Sequence, residues 1–223
     1  MYKFKGVINL NRKTIGITAV ILAVILGFPT KVYAEPILKI GVHTAYISGY
    51  PDGTIRPEAY VTREEAAAVF AKISNYKLKP SDIQFEDVPK TRWSYNCIMT
   101  LASNGIIKGG GGKFRPTERI TRAEMAVLAS KTAKSRNGYM TFSDMNGHWA
   151  EAAVSAAASD GWIAGYSDGE FKPEGFVTRA EMVFMINRVL KRKPNENVKT
   201  GPLWSDNSNI EKWYYLDIQE ASA

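Results

Sequence analysis

Three arginines, Arg63, Arg122 and Arg179, sit in the runs Thr62-Arg63-Glu64-Glu65, Thr121-Arg122-Ala123-Glu124 and Thr178-Arg179-Ala180-Glu181. Threonine followed three residues later by glutamate is a capping box. The hydroxyl accepts from the third helical amide, and the carboxylate returns to the amide of the cap. Thr62, Glu65, Thr121, Glu124, Thr178 and Glu181 are thereby assigned as helix caps. The arginine is left unexplained, because a cation in the first turn opposes the helix dipole at a cost of about 0.3–1 kcal/mol. Two explanations stay open. An internal carboxylate could hold each guanidinium. Alternatively, the fork and free amides at the helix start could take an external anion, a carboxylate or a phosphate. One charge-assisted bond is worth about 1.5–3 kcal/mol, and three on one polymer would reinforce one another through effective concentration.

Aromatic residues recur beside these runs. Trp93, Trp149 and Trp213 follow Arg92, His148 and Lys212, and Tyr50 and Tyr166 stand in G-Y-x-D-G turns opened by Gly49 and Gly165. A flat ring with a polar edge suits the apolar face of a sugar, and it equally suits a plug between structural units. Asp52-Gly53 and Asp168-Gly169 are turn chemistry without the ligand spacing of a calcium loop, so neither a metal nor a cofactor is expected. Catalysis is not expected either. The three capping glutamates are already used, His43 and His148 are isolated, and H-E-x-x-H and P-loop patterns are absent from the sequence.

The elements that must position these residues come as repeats. Similar segments start at Tyr46, Ile106 and Trp162, and their prolines Pro57, Pro116 and Pro173 are 59 and 57 residues apart. After each Gly- and Pro-rich loop, apolar residues fall at helical spacing: Val69, Phe70 and Ile73; Met125, Leu128 and Ala129; Met182, Met185, Ile186, Val189 and Leu190. Such stripes are core rather than a cofactor box. A second helical module runs from Phe85 and from Phe142, ends at Asn104-Gly105 and Asp160-Gly161, good carboxyl caps, and returns more weakly from Leu203. The fold class is therefore all-α, built of helix–loop–helix repeats. The expected division is a signal peptide over 1–34, a half repeat over 35–80, whole repeats over 81–137 and 138–200, and a half repeat over 201–223 that completes the first and closes three units into a ring.

Composition narrows the function. A basic head, an apolar stretch from Thr14 to Phe28 and Val32-Tyr33-Ala34 form a secretory signal, with cleavage expected after Ala34. The stretch is shorter than the ~20 residues of a spanning helix, so membrane contact is expected through the signal alone. The net charge of +7 falls to +2 once the five basic residues of 1–34 are removed, which gives no electrostatic footprint for nucleic acid. The single cysteine, Cys97, forms no internal disulfide and is expected as a buried small hydrophobe.

These residues resemble the S-layer-homology family. Its F-x-D-V-x-x-H-W-A helix, G-Y-x-D-G-x-F-R-P loop and I-T-R-A-E helix match Phe142–Ala150, Gly165–Pro173 and Val177–Glu181 nearly throughout. The resemblance covers almost all of the mature chain. It implies a three-pronged, pseudo-threefold spindle around a central helical bundle. It also implies binding of a secondary cell-wall polysaccharide, often pyruvate-ketal modified, in grooves between prongs. Carried over, Arg63, Arg122 and Arg179 become ligand-binding residues, and Trp93, Trp149, Trp213, Tyr50, Tyr166, Asp52, Asp168, Gly49 and Gly165 are assigned with them. Three departures bear on this. Gly109–Gly112 replace the G-Y-x-D-G turn in the second repeat, which is expected to alter its groove. Glu64 is expected to neutralise Arg63 beside it. The carboxyl-terminal half has no H-W-A. The third repeat is the most intact, which makes Arg179 the first choice. The expected product is a monomeric protein of the cell wall and surface layer, with other surface proteins as further partners. Two alternatives remain: an adaptor completing the repeats of another chain, and a peptidoglycan binder in an outer envelope.

Overall fold

Each T-R-x-E run opens a helix: α1 spans Arg63–Ile73, α3 Arg122–Ala133 and α5 Arg179–Val189. The intervening modules form α2 (Tyr95–Ser103), α4 (Glu151–Ser159) and α6 (Tyr215–Ser222). The computed structural model describes residues 38–39, 44–133, 139–194 and 204–222. They all belong to the second of two compact units, Met1–Glu35 and Pro36–Ala223. The signal peptide and its cleavage point lie outside the described residues. Among the described residues the fold is all-α, extended chain is confined to isolated bridges, and no helix is long and apolar enough to cross a membrane.

Consecutive helices pack as pairs, α1 with α2, α3 with α4 and α5 with α6, and α3 also touches α1 and α5. The apolar stripes form the core: Phe70, Met125, Met182 and Ile186 are fully buried. Gly105 and Gly161 end α2 and α4 at φ 74° and 73°. This left-handed conformation, which glycine adopts without a Cβ clash, lets Ile106 and Trp162 donate back to Leu101 and Ala157. Cys97 is only partly buried. Its surroundings still push the thiol pKa up, which disfavours the reactive thiolate.

The residues before the capping threonines tie the three loops together. Val61 donates to Val177, Val177 to Ile120 and Ile120 to Val61, at 3.0, 3.2 and 2.9 Å. This closed ring of three hydrogen bonds gives the fold its approximate threefold axis. Below it, Arg56, Arg115 and Lys172 precede the loop prolines at φ 54°, 58° and 57°, a region that costs an L-residue energy. Each is held there by a carboxylate accepting two successive amides. Asp87 takes Phe114 and Arg115 at 2.8 and 2.7 Å, Asp144 takes Phe171 and Lys172 at 2.8 and 2.7 Å, and Asp206 takes Ile55 and Arg56 at 2.8 Å each. Burial alone would raise the Asp87 and Asp144 carboxyls, but the amides outweigh it and hold both below their usual range. The carboxyl-terminal segment thus gives the first loop the clamp that the internal modules give the other two. Tyr46 and Ile47 also donate to Ala221 O at 2.9 and 3.3 Å.

Candidate functional site

The capping boxes are formed in all three runs. Glu65, Glu124 and Glu181 amides donate to their threonine hydroxyls at 3.2–3.3 Å, and the carboxylates accept from the cap amides at 2.7–3.1 Å. The first two helical amides, expected to be free for an anion, are occupied. Arg63 and Glu64 donate to Glu118 and Pro116, Arg122 and Ala123 to Gly175 and Pro173, and Arg179 and Ala180 to Ala59 and Pro57. Each proline loop thereby caps the helix of a neighbouring repeat. Any anion must be met by the guanidinium fork alone.

The forks also cross between repeats, which sequence order hides. Arg63 Nε donates to Phe114 O at 2.9 Å and its Nη1 to Glu124. Arg122 Nε donates to Phe171 O at 2.9 Å and its Nη2 to Ala164 O at 2.8 Å, with Glu181 3.9 Å away. Arg179 Nη2 donates to Ser48 O at 2.8 Å. Its Nε is buried without a hydrogen-bond partner. The intact turn of the third repeat therefore serves Arg122, whose guanidinium lies 4.9 Å from the Tyr166 ring. Arg179 faces the turn of the first repeat, 5.6 Å from Tyr50. The glycine-rich second turn belongs with Arg63.

Both tyrosines act as cation bridges. Tyr50 lies between Arg179 and Arg56, the latter at 3.8 Å, and Tyr166 between Arg122 and Lys172, the latter at 4.5 Å. Asp52 and Asp168 hold their own turns and the pre-proline base, with Arg56 at 2.8 Å and Lys172 at 2.9 Å. The Thr54 hydroxyl and the Arg56 fork bring Asp52 down to about 2. Gly49 and Gly165 have a packing reason: a Cβ would run into the rings of Trp204 and Phe142. Glu64 does not neutralise Arg63. It accepts from Arg92 Nε and Nη2 at 2.8 Å each and from Ser94 at 2.6 Å. Adjacent helical residues point in different directions, and Glu64 faces α2.

Apolar grooves run beside two of the forks. The larger, about 430 Å³, brings Arg63 and Glu124 together with Phe114, Val127, Lys131 and Trp149. The smaller, about 240 Å³, brings Arg122 and Glu181 together with Trp162, Phe171, Phe184 and Trp213. Trp93, Trp149 and Trp213 are 62%, 66% and 57% exposed, so none of them is a core plug. Sequence reading missed Phe114 and Phe171, whose carbonyls hold the arginines, and Phe184, which joins Trp213 edge-on at 5.5 Å. The F-R-P and F-K-P repeats signalled the first two. Phe184, three residues after Glu181, shares its helix face.

Among the described residues no cluster of His, Cys, Asp or Glu is suited to a metal. A family model described as the S-layer homology domain matches residues 30–67, 84–126 and 141–183. Over 200 residues, 82% of this chain and 8% of the relative, the chain is 36% identical to "Cell surface glycoprotein 1" of Acetivibrio thermocellus. It is 34% identical to the "Cellulosome-anchoring protein" of the same organism over 81% of this chain and 42% of that one. It is 32% identical to "S-layer protein EA1" of Bacillus anthracis over 71% and 19%. The chain spans less than half the length of each of these relatives. With three matched segments covering more than half its residues, the chain belongs to the S-layer homology domain family.

Proposed function

We propose that this chain attaches non-covalently to the bacterial cell wall by binding an anionic secondary cell-wall polysaccharide in the grooves between repeats. The observation that carries this reading is the Arg122 groove. There a guanidinium held by two carbonyls stands beside Tyr166 and an exposed Trp213. Ring faces suit sugar faces, and a fork suits a carboxylate such as that of a pyruvate ketal. The names of the relatives, a surface glycoprotein, an anchoring protein and an S-layer protein, support a place at the cell surface and a role in anchoring rather than catalysis.

The grooves differ in readiness. Arg63 is neutralised by Glu124, Arg122 keeps a looser carboxylate at 3.9 Å, and Arg179 is 91% buried against the first loop. Arg122 therefore replaces Arg179 as the first residue to test. The test is co-sedimentation of the full chain with wall sacculi that keep their secondary polysaccharide and with sacculi chemically stripped of it. Binding to intact sacculi alone is expected, weakened tenfold or more by Arg122→Ala, which corresponds to about 1.4 kcal/mol. Equal binding to both would favour peptidoglycan. Binding to neither would favour the adaptor reading, although residues 204–222 already clamp the first loop of their own chain.

A further inference from the structure

The second repeat departs from the other two at five positions of one loop, among them Lys113 and Glu118, and Thr117, Glu118 and Arg119 line one cleft. Where the first and third repeats have Asp52 and Asp168 in the turn, the second has glycine. Where they have Glu58 and Glu174 after the proline, it has Thr117, and where they have Tyr60 and Phe176, it has Arg119. Residues 52–60 hold one base and two acids, a net −1, and residues 168–176 hold one base and three acids, a net −2. Residues 111–119 hold three bases and one acid, a net +2. One loop of the three has its charge inverted.

The contacts show the consequence. Arg56 and Lys172 are tied to the turn aspartates, whereas Arg115 donates to Gly110 O at 3.4 Å. Arg119 stacks 4.5 Å from the Tyr60 ring and 5.5 Å from Phe176, and those rings meet edge-on at 5.8 Å. Among the described residues neither guanidinium has a carboxylate at ion-pair distance. Tyr60 and Phe176 remain 47% and 46% exposed. Arg115, Thr117 and Arg119 line a cleft of about 500 Å³ with Phe176 on one wall. Glu118 and Glu124 also line it, but Glu124 is occupied by Arg63 and by its own cap. The cleft shares Arg63 and Glu124 with the Trp149 groove and none of that groove's apolar lining.

A half-exposed ring, a hydroxyl and two forks with no carboxylate at ion-pair distance among the described residues form a combination that suits a charged sugar. The ring meets the apolar sugar face, the hydroxyl meets a sugar hydroxyl, and the forks meet a carboxylate or phosphate. An acidic peptide would answer the charge but would find little apolar wall. We propose that this cleft, beside the ring of loops, is a second saccharide site, for a sugar unit bearing a carboxylate or phosphate. It takes from the polysaccharide reading only the class of ligand.

The test is calorimetric titration of the full chain with a uronate tetrasaccharide, a glycerol-phosphate oligomer, a neutral glucose tetrasaccharide and an oligoglutamate of equal charge. One or both anionic saccharide-type probes are expected to bind, and which one does identifies the anion. Arg119→Gln should weaken that binding tenfold or more. Thr117→Glu should do the same, and it places the residue that the other two repeats already accommodate there, so the fold is preserved. Arg122→Ala should weaken binding to intact sacculi tenfold or more while keeping the oligomer. The site is overturned if neither anionic oligomer binds, if oligoglutamate binds as tightly, or if Thr117→Glu leaves affinity unchanged. Oligomer binding that survives a failure to bind sacculi would sink the groove reading and leave this one standing.

Discussion

Asp144 and its counterparts show how single carboxylates shape this molecule. Each accepts two successive amides and pins the second of those residues in a left-handed conformation. Asp144→Ala should cost about 2–3 kcal/mol, the order of a charge-assisted hydrogen bond, and lower the midpoint of thermal unfolding. Asp217 behaves in the opposite sense. Burial raises its pKa, against the opposing hydrogen bond from Asn187 and the charge of Arg188. A raised folded pKa means that stability is greatest below the unfolded value near 3.9 and falls as pH rises through the folded one. Asp217→Asn should therefore raise Tm at pH 7, with roughly 2–4 °C for each kcal/mol in a chain of this size. The gain should fade on acidification, as a melting series against pH would show. At this scale the capping boxes were legible in the sequence, because threonine and glutamate three apart meet within one helical turn. The partner of Glu64 was not: Arg63 is its neighbour in sequence, but Arg92 is its neighbour in space.

At the scale of elements, α1 and α2 are joined by that Glu64–Arg92–Ser94 cluster, where α3 and α5 have Ala123 and Ala180 in place of Glu64. Burial raises the Glu64 carboxyl, but Arg92 and Ser94 prevail and its pKa lies below the usual value. The cluster therefore stabilises above the unfolded pKa and fades as pH falls through the lower folded one. Glu64→Ala should leave Arg92 without its carboxylate and destabilise by about 1–3 kcal/mol. Adding Arg92→His, the residue at the matching position 148, should recover much of the loss in a denaturant series. Helix content, apolar faces and the Gly105 and Gly161 caps were readable from periodicity and turn chemistry. The pairing of each arginine with a turn was not, because it depends on how loops cross in space, and reading along the chain joined Arg179 to the wrong turn.

For the whole molecule, the first loop has its clamp only through residues 204–222. Removing that segment should uncover Ile55, Tyr46 and Ile47, all buried in the intact fold. The truncated chain should then lose its cooperative melt or self-associate by light scattering, whereas the full chain should elute as a monomer. The contact of Tyr46 and Ile47 with Ala221 also has a mechanical meaning. A load drawn through residue 222 falls first on those two hydrogen bonds, then on the α5–α6 seam, and reaches the Asp206 clamp only after α6 has been drawn away. The Arg122 groove, with Trp213 on its wall, gives way with that seam. The Arg63 groove is built wholly from residues 63–153 and lets go last, so tension releases the grooves in a set order.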